Sequence, residues 1–109
     1  MPRDTQINNV GLVSRTRGNV DRGITSLSGS SQSLLDVGNQ PRIRKRVIFK
    51  NGAAIAAINL NGGTAAIGGA GCITLQPYEG LALEGKDCPM AAVTVIGTAG
   101  QYFGCYEGF

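Results

Sequence analysis

Residues 42–51, RIRKRVIFKN, are the stretch that decides the fold. Successive side chains of a β-strand point to opposite faces, so the stretch separates into two sets. One face would carry Ile43, Lys45, Val47 and Phe49, and the other Arg44, Arg46, Ile48 and Lys50. This alternation predicts a strand with one face in a core and a cationic face in solvent. Asn51-Gly52 follows, a dipeptide suited to the positive φ of a tight turn.

Short apolar segments separated by glycine-rich turns fill the rest of residues 32–109. Segments spaced by about ten residues are typical of β-sandwiches and barrels. Single strands are predicted at 33–37, 42–51, 53–60, 91–98 and 101–109, and a hairpin at 72–84 with its turn at 77–80. Alanine favours helix in 53–60, but the Asn-Gly boundaries favour a strand. The sequence predicts an all-β fold, a small antiparallel, jelly-roll-like β-sandwich of about seven strands, with the strand order left open.

Few large side chains are available for the predicted core. It comprises Leu34, Val47, Phe49, Ile58, Leu60, Ile73, Leu75, Leu81, Leu83, Val93, Val95 and either Phe103 or Tyr102. A domain of this size buries about two thirds of its unfolded surface. A homo-oligomer is therefore expected, because association would add buried surface.

The composition gives no support to an enzyme. Seventeen glycines favour a chain rich in turns. The sequence has no histidine, the usual acid-base catalyst at neutral pH and the commonest imidazole metal ligand. Cys72, Cys88 and Cys105 are 16 and 17 residues apart, a spacing unlike that of zinc sites. We predict three reduced thiols, no catalytic residue, no metal and no cofactor.

Charge divides the chain into two halves. Residues 1–50 hold nine cations and three aspartates, a net +6, whereas residues 51–109 hold one lysine and four carboxylates, a net −3. Residues 1–31 are polar with scattered apolar residues, and such a segment buries too little apolar area to fold alone. The predicted organisation is an extended N-terminal arm over 1–31 followed by a β-sandwich domain over 32–109.

The arm is either a disordered tail or a strap that becomes ordered on a neighbouring subunit. Its apolar residues are too numerous for a solvating tail, so the strap is favoured. Arginine forms bidentate pairs with carboxylates, so the arm arginines are candidates for contacts with an acidic partner. The strand arginines have two open roles, which are the same contacts or keeping an exposed strand face soluble and unpaired. The predicted partner-binding residues are Ile7, Val10, Leu12, Val13, Arg15, Arg17, Val20, Arg22, Ile24, Arg42, Arg44 and Arg46.

Targeting features are missing from the sequence. Residues 1–10 lack a basic start followed by an apolar run, and no stretch has the roughly 18 apolar residues that would span a bilayer. A protein made in the cytoplasm, with no membrane partner, is expected.

Three segments together, 33–63, 72–85 and 91–108, resemble small β-sandwich virion proteins of tailed bacteriophages. The shared pattern is an arginine-led strand ending in Asn, a strand ending in Gly-Gly, an apolar Leu-x-Pro-x-Glu-x-Leu segment, and a valine-rich strand before a closing strand that ends in Glu-Gly. Its strand and turn positions are Arg46, Asn51, Gly62, Pro77, Glu79, Leu81 and Gly108. The resemblance implies a structural protein located in the virion.

Three functions are compatible with these features. The first is a capsid decoration or cement protein at the capsid surface, with the major capsid protein and other virion subunits as partners; a trimer would suit threefold lattice positions. The second is a head-to-tail adaptor or fibre-attachment protein. The third is a small basic nucleic-acid-binding protein, which the scarcity of aromatic residues in the basic half disfavours.

Overall fold

The structure is a computed structural model that describes residues 19–23, 26–38 and 43–109. Within these ranges the fold is all-β, with eight strands, one short 3-10 turn and no α-helix. The strands are β1 (Asn19–Asp21), β2 (Gln32–Leu35), β3 (Arg46–Asn51), β4 (Ala56–Asn59), β5 (Cys72–Leu75), β6 (Gly80–Glu84), β7 (Val93–Gly97) and β8 (Phe103–Gly108).

The strands form two antiparallel four-stranded sheets, which confirms the all-β class. Sheet A has the order β1-β8-β3-β6, and sheet B has the order β2-β7-β4-β5. The pairings are nested along the chain, because the first strand pairs with the last, the second with the seventh, the third with the sixth and the fourth with the fifth. Two further pairings, β3 with β8 and β4 with β7, complete the sheets.

The core lies between the two sheets, and within β3 it follows the predicted alternation. Val47 and Phe49 of β3 are fully buried, and the ring of Phe49 lies 6.3 Å from that of Phe103. Of the two aromatic candidates on the last strand, Phe103 is buried and Tyr102 is 46 % exposed. Leu60, Leu81 and Leu83 are only partly buried against the core, and Ile73 is 36 % exposed. The core also contains residues that were not predicted, namely Leu27, Leu35, Ala56, Ala57, Ala65, Cys88 and Cys105.

The predicted hairpin at 72–84 is wrong. Both of its strands exist, but β5 belongs to sheet B and β6 to sheet A, so residues 76–79 cross from one sheet to the other. The side chain of Asn51 holds this crossing, because its Nδ2 donates to the carbonyls of Leu75 and Gln76 at 3.1 and 2.9 Å. A hairpin and a crossing require the same apolar alternation, which is why the sequence pattern did not distinguish them.

The described part of the predicted arm belongs to the sandwich. Residues 19–21 pair with β8, and Leu27 is 2 % exposed in the core. The backbone of Leu27 also donates to Gln101 O at 2.9 Å and accepts from Gly100 N at 2.8 Å. The sandwich therefore includes residues 19–23 and 26–31, and the prediction of an extended arm remains only for residues 1–18, which lie outside the described residues.

Candidate interaction surface

Arg44 does not lie on the solvent face, and that prediction is wrong. Its side chain is fully buried, whereas the neighbouring Lys45 is exposed. The alternation fails because β3 begins at Arg46, and residues 43–45 before it are irregular. Arg44 consequently cannot present its guanidinium to a partner.

The buried guanidinium of Arg44 is bound on every side by acceptors from distant parts of the chain. Nε donates to Glu107 Oε2 at 2.8 Å, and the Nη atoms donate to the carbonyls of Asp36, Pro89 and Ala91. Glu107 is itself 6 % exposed. This cluster joins β8 to the segments before β3 and before β7, so its role is structural.

Arg22 extends the same cluster to the surface. Its Nε donates to Glu107 Oε1 at 2.9 Å, while its side chain remains 42 % exposed. The carboxylate of Glu107 thus accepts from a buried and a half-exposed arginine at once. Arg22 holds β1 onto β8 and still offers part of its guanidinium to solvent.

The solvent-facing side of sheet A carries exposed apolar side chains near the middle of its strands. Ile48 of β3 lies directly opposite Tyr106 of β8 and Ala82 of β6, and directly paired residues share a sheet face. Ile48 is 39 % exposed and Tyr106 is 49 % exposed. We call the group formed by Ile48, Ala82 and Tyr106 the outer ridge.

Charged residues surround the outer ridge without a strong excess of either sign. Arg46 and Lys50 lie on the same face of β3 as Ile48, and both are exposed. Glu84 lies opposite Arg46, and Asp21 lies opposite Tyr106. On β8, a glycine lies opposite each of these two cations, which leaves the face shallow. A depression of about 200 Å³ lies beside Arg46 and Tyr106. A shallow face with mixed charge suits another protein surface better than a small substrate.

A second concave site lies at one end of the sandwich, where three loops meet. It is a cleft of about 630 Å³, lined by Lys50, Asn51, Gly52, Ala53, Ala54, Tyr78, Thr98, Ala99, Gly100, Gln101 and Tyr102. Two of its polar side chains hold the loops, since Lys50 Nζ donates to Tyr78 O and Gln101 Nε2 donates to Asn51 Oδ1 at 2.7 Å. The lining contains no carboxylate, cysteine or histidine that could act as a catalytic group.

The three cysteines are free thiols, as predicted. Burial is the main cause, and the nearby Glu107 carboxylate a smaller one, of the rise in the pKa of the Cys105 thiol from 9.0 to about 12. Burial also raises the pKa of Cys88. Cys72 is half-exposed at the start of β5. Over the described ranges, no group of three or more acidic, cysteine or histidine side chains could hold a metal ion.

The predicted partner-binding residues are divided by the structure. Arg46 is exposed beside the outer ridge, and Val20 and Arg22 lie on β1 and directly after it. Ile7, Val10, Leu12, Val13, Arg15, Arg17, Ile24 and Arg42 lie outside the described residues. Tyr106 and Tyr102 were missed because both were assigned to the core or to an edge, although the alternation from Phe103 places them on the outside.

Comparisons with known proteins give no relative. Neither a scan against protein-family models nor searches of the curated proteins and of the solved structures found a match. In the part of the chain that the structure describes, no helix is long and apolar enough to cross a bilayer.

Proposed function

We infer that this chain is a non-enzymatic structural protein of a bacteriophage virion, a capsid decoration or cement protein that binds the assembled lattice of major capsid protein. A protein that binds the lattice but not the free subunits raises the stability of the lattice by mass action. Many copies on the capsid surface would each add a small interface, and together they would stabilise the head.

The outer ridge is the observation that carries this proposal. Ile48 and Tyr106 are exposed side by side on a shallow sheet face, with Arg46 at their edge. Tyrosine and arginine are enriched among the residues that dominate protein interfaces, and arginine pairs well with carboxylates. The ridge therefore suits an apolar patch bordered by acidic groups on the capsid protein.

The fold supports a virion location. We infer a jelly roll, because eight strands form two four-stranded sheets whose pairings are nested from β4–β5 outward to β1–β8. Jelly rolls are one of the architectures of viral capsid domains. The resemblance of residues 33–108 to small phage virion proteins points in the same direction, although a fold by itself does not fix a function.

Binding to capsid shells tests the proposal. The probe is a shell assembled from the major capsid protein of the same phage, and the measurement is co-sedimentation over a range of protein concentrations. We expect Ile48→Ser to weaken binding at least about tenfold, since it removes an apolar group from the centre of the interface. Ile67→Ser is the matched control, because Ile67 is 49 % exposed and lies outside the sheets.

Two outcomes would count against this function. Absence of shell binding by the unchanged protein would overturn the decoration role. Equal loss of shell affinity in Ile48→Ser and Ile67→Ser would show that the outer ridge is not the binding surface. A copy number of a few per particle instead of hundreds would favour the head-to-tail adaptor or fibre-attachment role.

Nucleic-acid binding is the second candidate, because Tyr106 shares a face with Arg46 and Lys50. Aromatic platforms beside cations are typical of single-strand binding surfaces. The carboxylates of Asp21 and Glu84 on this face oppose phosphate binding, so the protein-binding role is preferred. Oligonucleotide affinity that falls steeply with salt would support this second candidate.

A further inference from the structure

One lateral edge of the sandwich is open. Among the described strands, β6 pairs only with β3 and β5 pairs only with β4, so each is the last strand of its sheet. The four residues 76–79 connect them, which places both strands at the same side of the molecule. We call this side the open edge.

Inward-facing apolar residues are incompletely covered at the open edge. Ile73 lies directly opposite the fully buried Ile58 and shares its face, yet Ile73 is 36 % exposed. Leu81 and Leu83 of β6 contact the core but are only partly buried. An added strand beside β6 would cover these side chains with its own inward-facing residues.

The backbone of β6 also lacks the usual protection of an edge strand. Proteins commonly block edges with proline, lysine or an inward-pointing charge. The sequence of β6, GLALE, has none of these, and its single charge, Glu84, points outward opposite Arg46. Its outer N–H and C=O groups can therefore pair with an incoming strand, the mode of binding known as β-augmentation.

Residues 8–14 of the N-terminal segment have the pattern that this edge requires. In NNVGLVS, Val10 and Leu12 are two residues apart and would fall on one face of a strand, with Asn9, Gly11 and Val13 on the other. Their spacing of two matches that of Leu81 and Leu83 on β6. A strand formed by these residues would place two apolar side chains over the open edge.

Charge favours this segment over a second copy of β6. Residues 1–18 contain three arginines and one aspartate, a net +2, whereas residues 72–88 contain three carboxylates and one lysine, a net −2. The N-terminal segment and the open edge therefore have net charges of opposite sign. Pairing of β6 with another β6 would instead bring two acidic edges together.

Distance favours a segment from another copy. The chain enters sheet A at Asn19 in β1, which is at the opposite side of the sheet from β6. A strand added beyond β6 is four strand spacings from β1, about 19 Å. The five steps from Ser14 to Asn19 reach at most about 17 Å when fully extended.

We propose that residues 8–14 of one copy bind as an added strand along β6 of a neighbouring copy, with Val10 and Leu12 covering the open edge. This deepens the proposed function and rests on it, and it gives the N-terminal segment the role of the strap between subunits that the sequence predicts. It names the subunit and the site to which the strap binds.

The test uses the purified full-length protein without capsid. Light scattering measures its mass, and amide hydrogen exchange measures the protection of residues 80–84 at low and high protein concentration. We expect association, with exchange at the outer amides of β6 at least about tenfold slower at high concentration. Val10→Asp with Leu12→Asp should give a monomer with fast exchange at these amides.

Asn9→Asp with Val13→Asp is the matched control, because it adds the same charge to the other face of the segment. This variant should associate as the unchanged protein does. The unfolding midpoint of each monomer, measured under dissociating conditions, should be unchanged, because all four substitutions lie outside the described sandwich.

Several results would overturn the proposal. These are a monomeric protein with unprotected β6 amides, protection that is independent of concentration, an effect shared by both double variants, or association that survives Val10→Asp with Leu12→Asp. The last result would indicate pairing between two β6 strands. Since no capsid is present, none of these results depends on whether the protein binds shells.

Discussion

Arg44 shows how a single residue can reverse its predicted role. A run of cations predicts a solvated strand face, and Arg46 and Lys50 conform to that prediction. Arg44 is instead buried, and its partner Glu107 is 63 residues away along the chain. The pairing of these two charges depends on the contact between the segment before β3 and the end of β8, which local alternation does not reveal.

Removal of the buried guanidinium should be strongly destabilising. Arg44→Met would leave Glu107 and three carbonyls without their buried donor, and breaking a buried ion pair in this way costs about 3–5 kcal/mol. Urea denaturation measures the change in the free energy of unfolding. Lys45→Met is the control, because Lys45 is exposed and should change that free energy by less than about 0.5 kcal/mol. Similar losses for the two variants would contradict the structural role of Arg44.

The thiol of Cys105 should make stability depend on alkaline pH. Because burial raises its pKa from 9.0 to about 12, the unfolded chain loses this proton at a lower pH than the folded protein does. The contribution of the protonated Cys105 thiol to stability is complete below pH 9.0 and is lost as the pH rises toward 12. Over that range the free energy of unfolding falls by at most about 1.4 kcal/mol per pH unit. Urea denaturation of the unchanged protein and of Cys105→Ala between pH 8 and pH 10.5 should show the steeper loss only where the thiol is present. Parallel pH profiles would contradict this prediction.

At the scale of the elements, alternation predicted which side chains face inward but not which strands pair. Val47 and Phe49 were assigned correctly because a period of two within one strand is sufficient to orient them. The partner of β6 was assigned wrongly, because Leu81 and Leu83 face inward whether β6 pairs with β5 or belongs to the other sheet. β1 was missed for a different reason, since its three residues contain only one apolar side chain.

Leu27 should anchor the segment between β1 and β2 as a core residue. Leu27→Ala removes a side chain that is 2 % exposed, and truncation of a buried leucine to alanine costs about 2–5 kcal/mol. Val37→Ala serves as the comparison, because Val37 is 56 % exposed and should have little effect. The midpoints of thermal unfolding of the two variants measure the difference. A small effect of Leu27→Ala on the unfolding midpoint would indicate that this segment belongs to the extended arm and not to the core.

At the scale of the whole molecule, the two ranges removed by truncation should have different consequences. Deletion of residues 1–18 leaves every described strand intact, so the shortened protein should unfold cooperatively, near the midpoint that the full chain has under dissociating conditions. Deletion of residues 1–31 also removes β1, Arg22 and Leu27, and should lower the free energy of unfolding by more than about 2 kcal/mol. Circular dichroism during thermal unfolding measures both. Equal stability of the two truncated proteins would place β1 and Leu27 outside the cooperative unit.

The antiparallel contact between Asn19–Asp21 and Phe103–Gly108 has a consequence for synthesis in the cell. Sheet A requires β8 inside it, between β1 and β3, so it cannot be completed until Phe103–Gly108 have been translated. Contacts between such distant parts of a chain also slow folding. The sandwich should therefore stay unfolded during synthesis until β8 has been made, and a truncated product that ends before Phe103 should be degraded instead of accumulating.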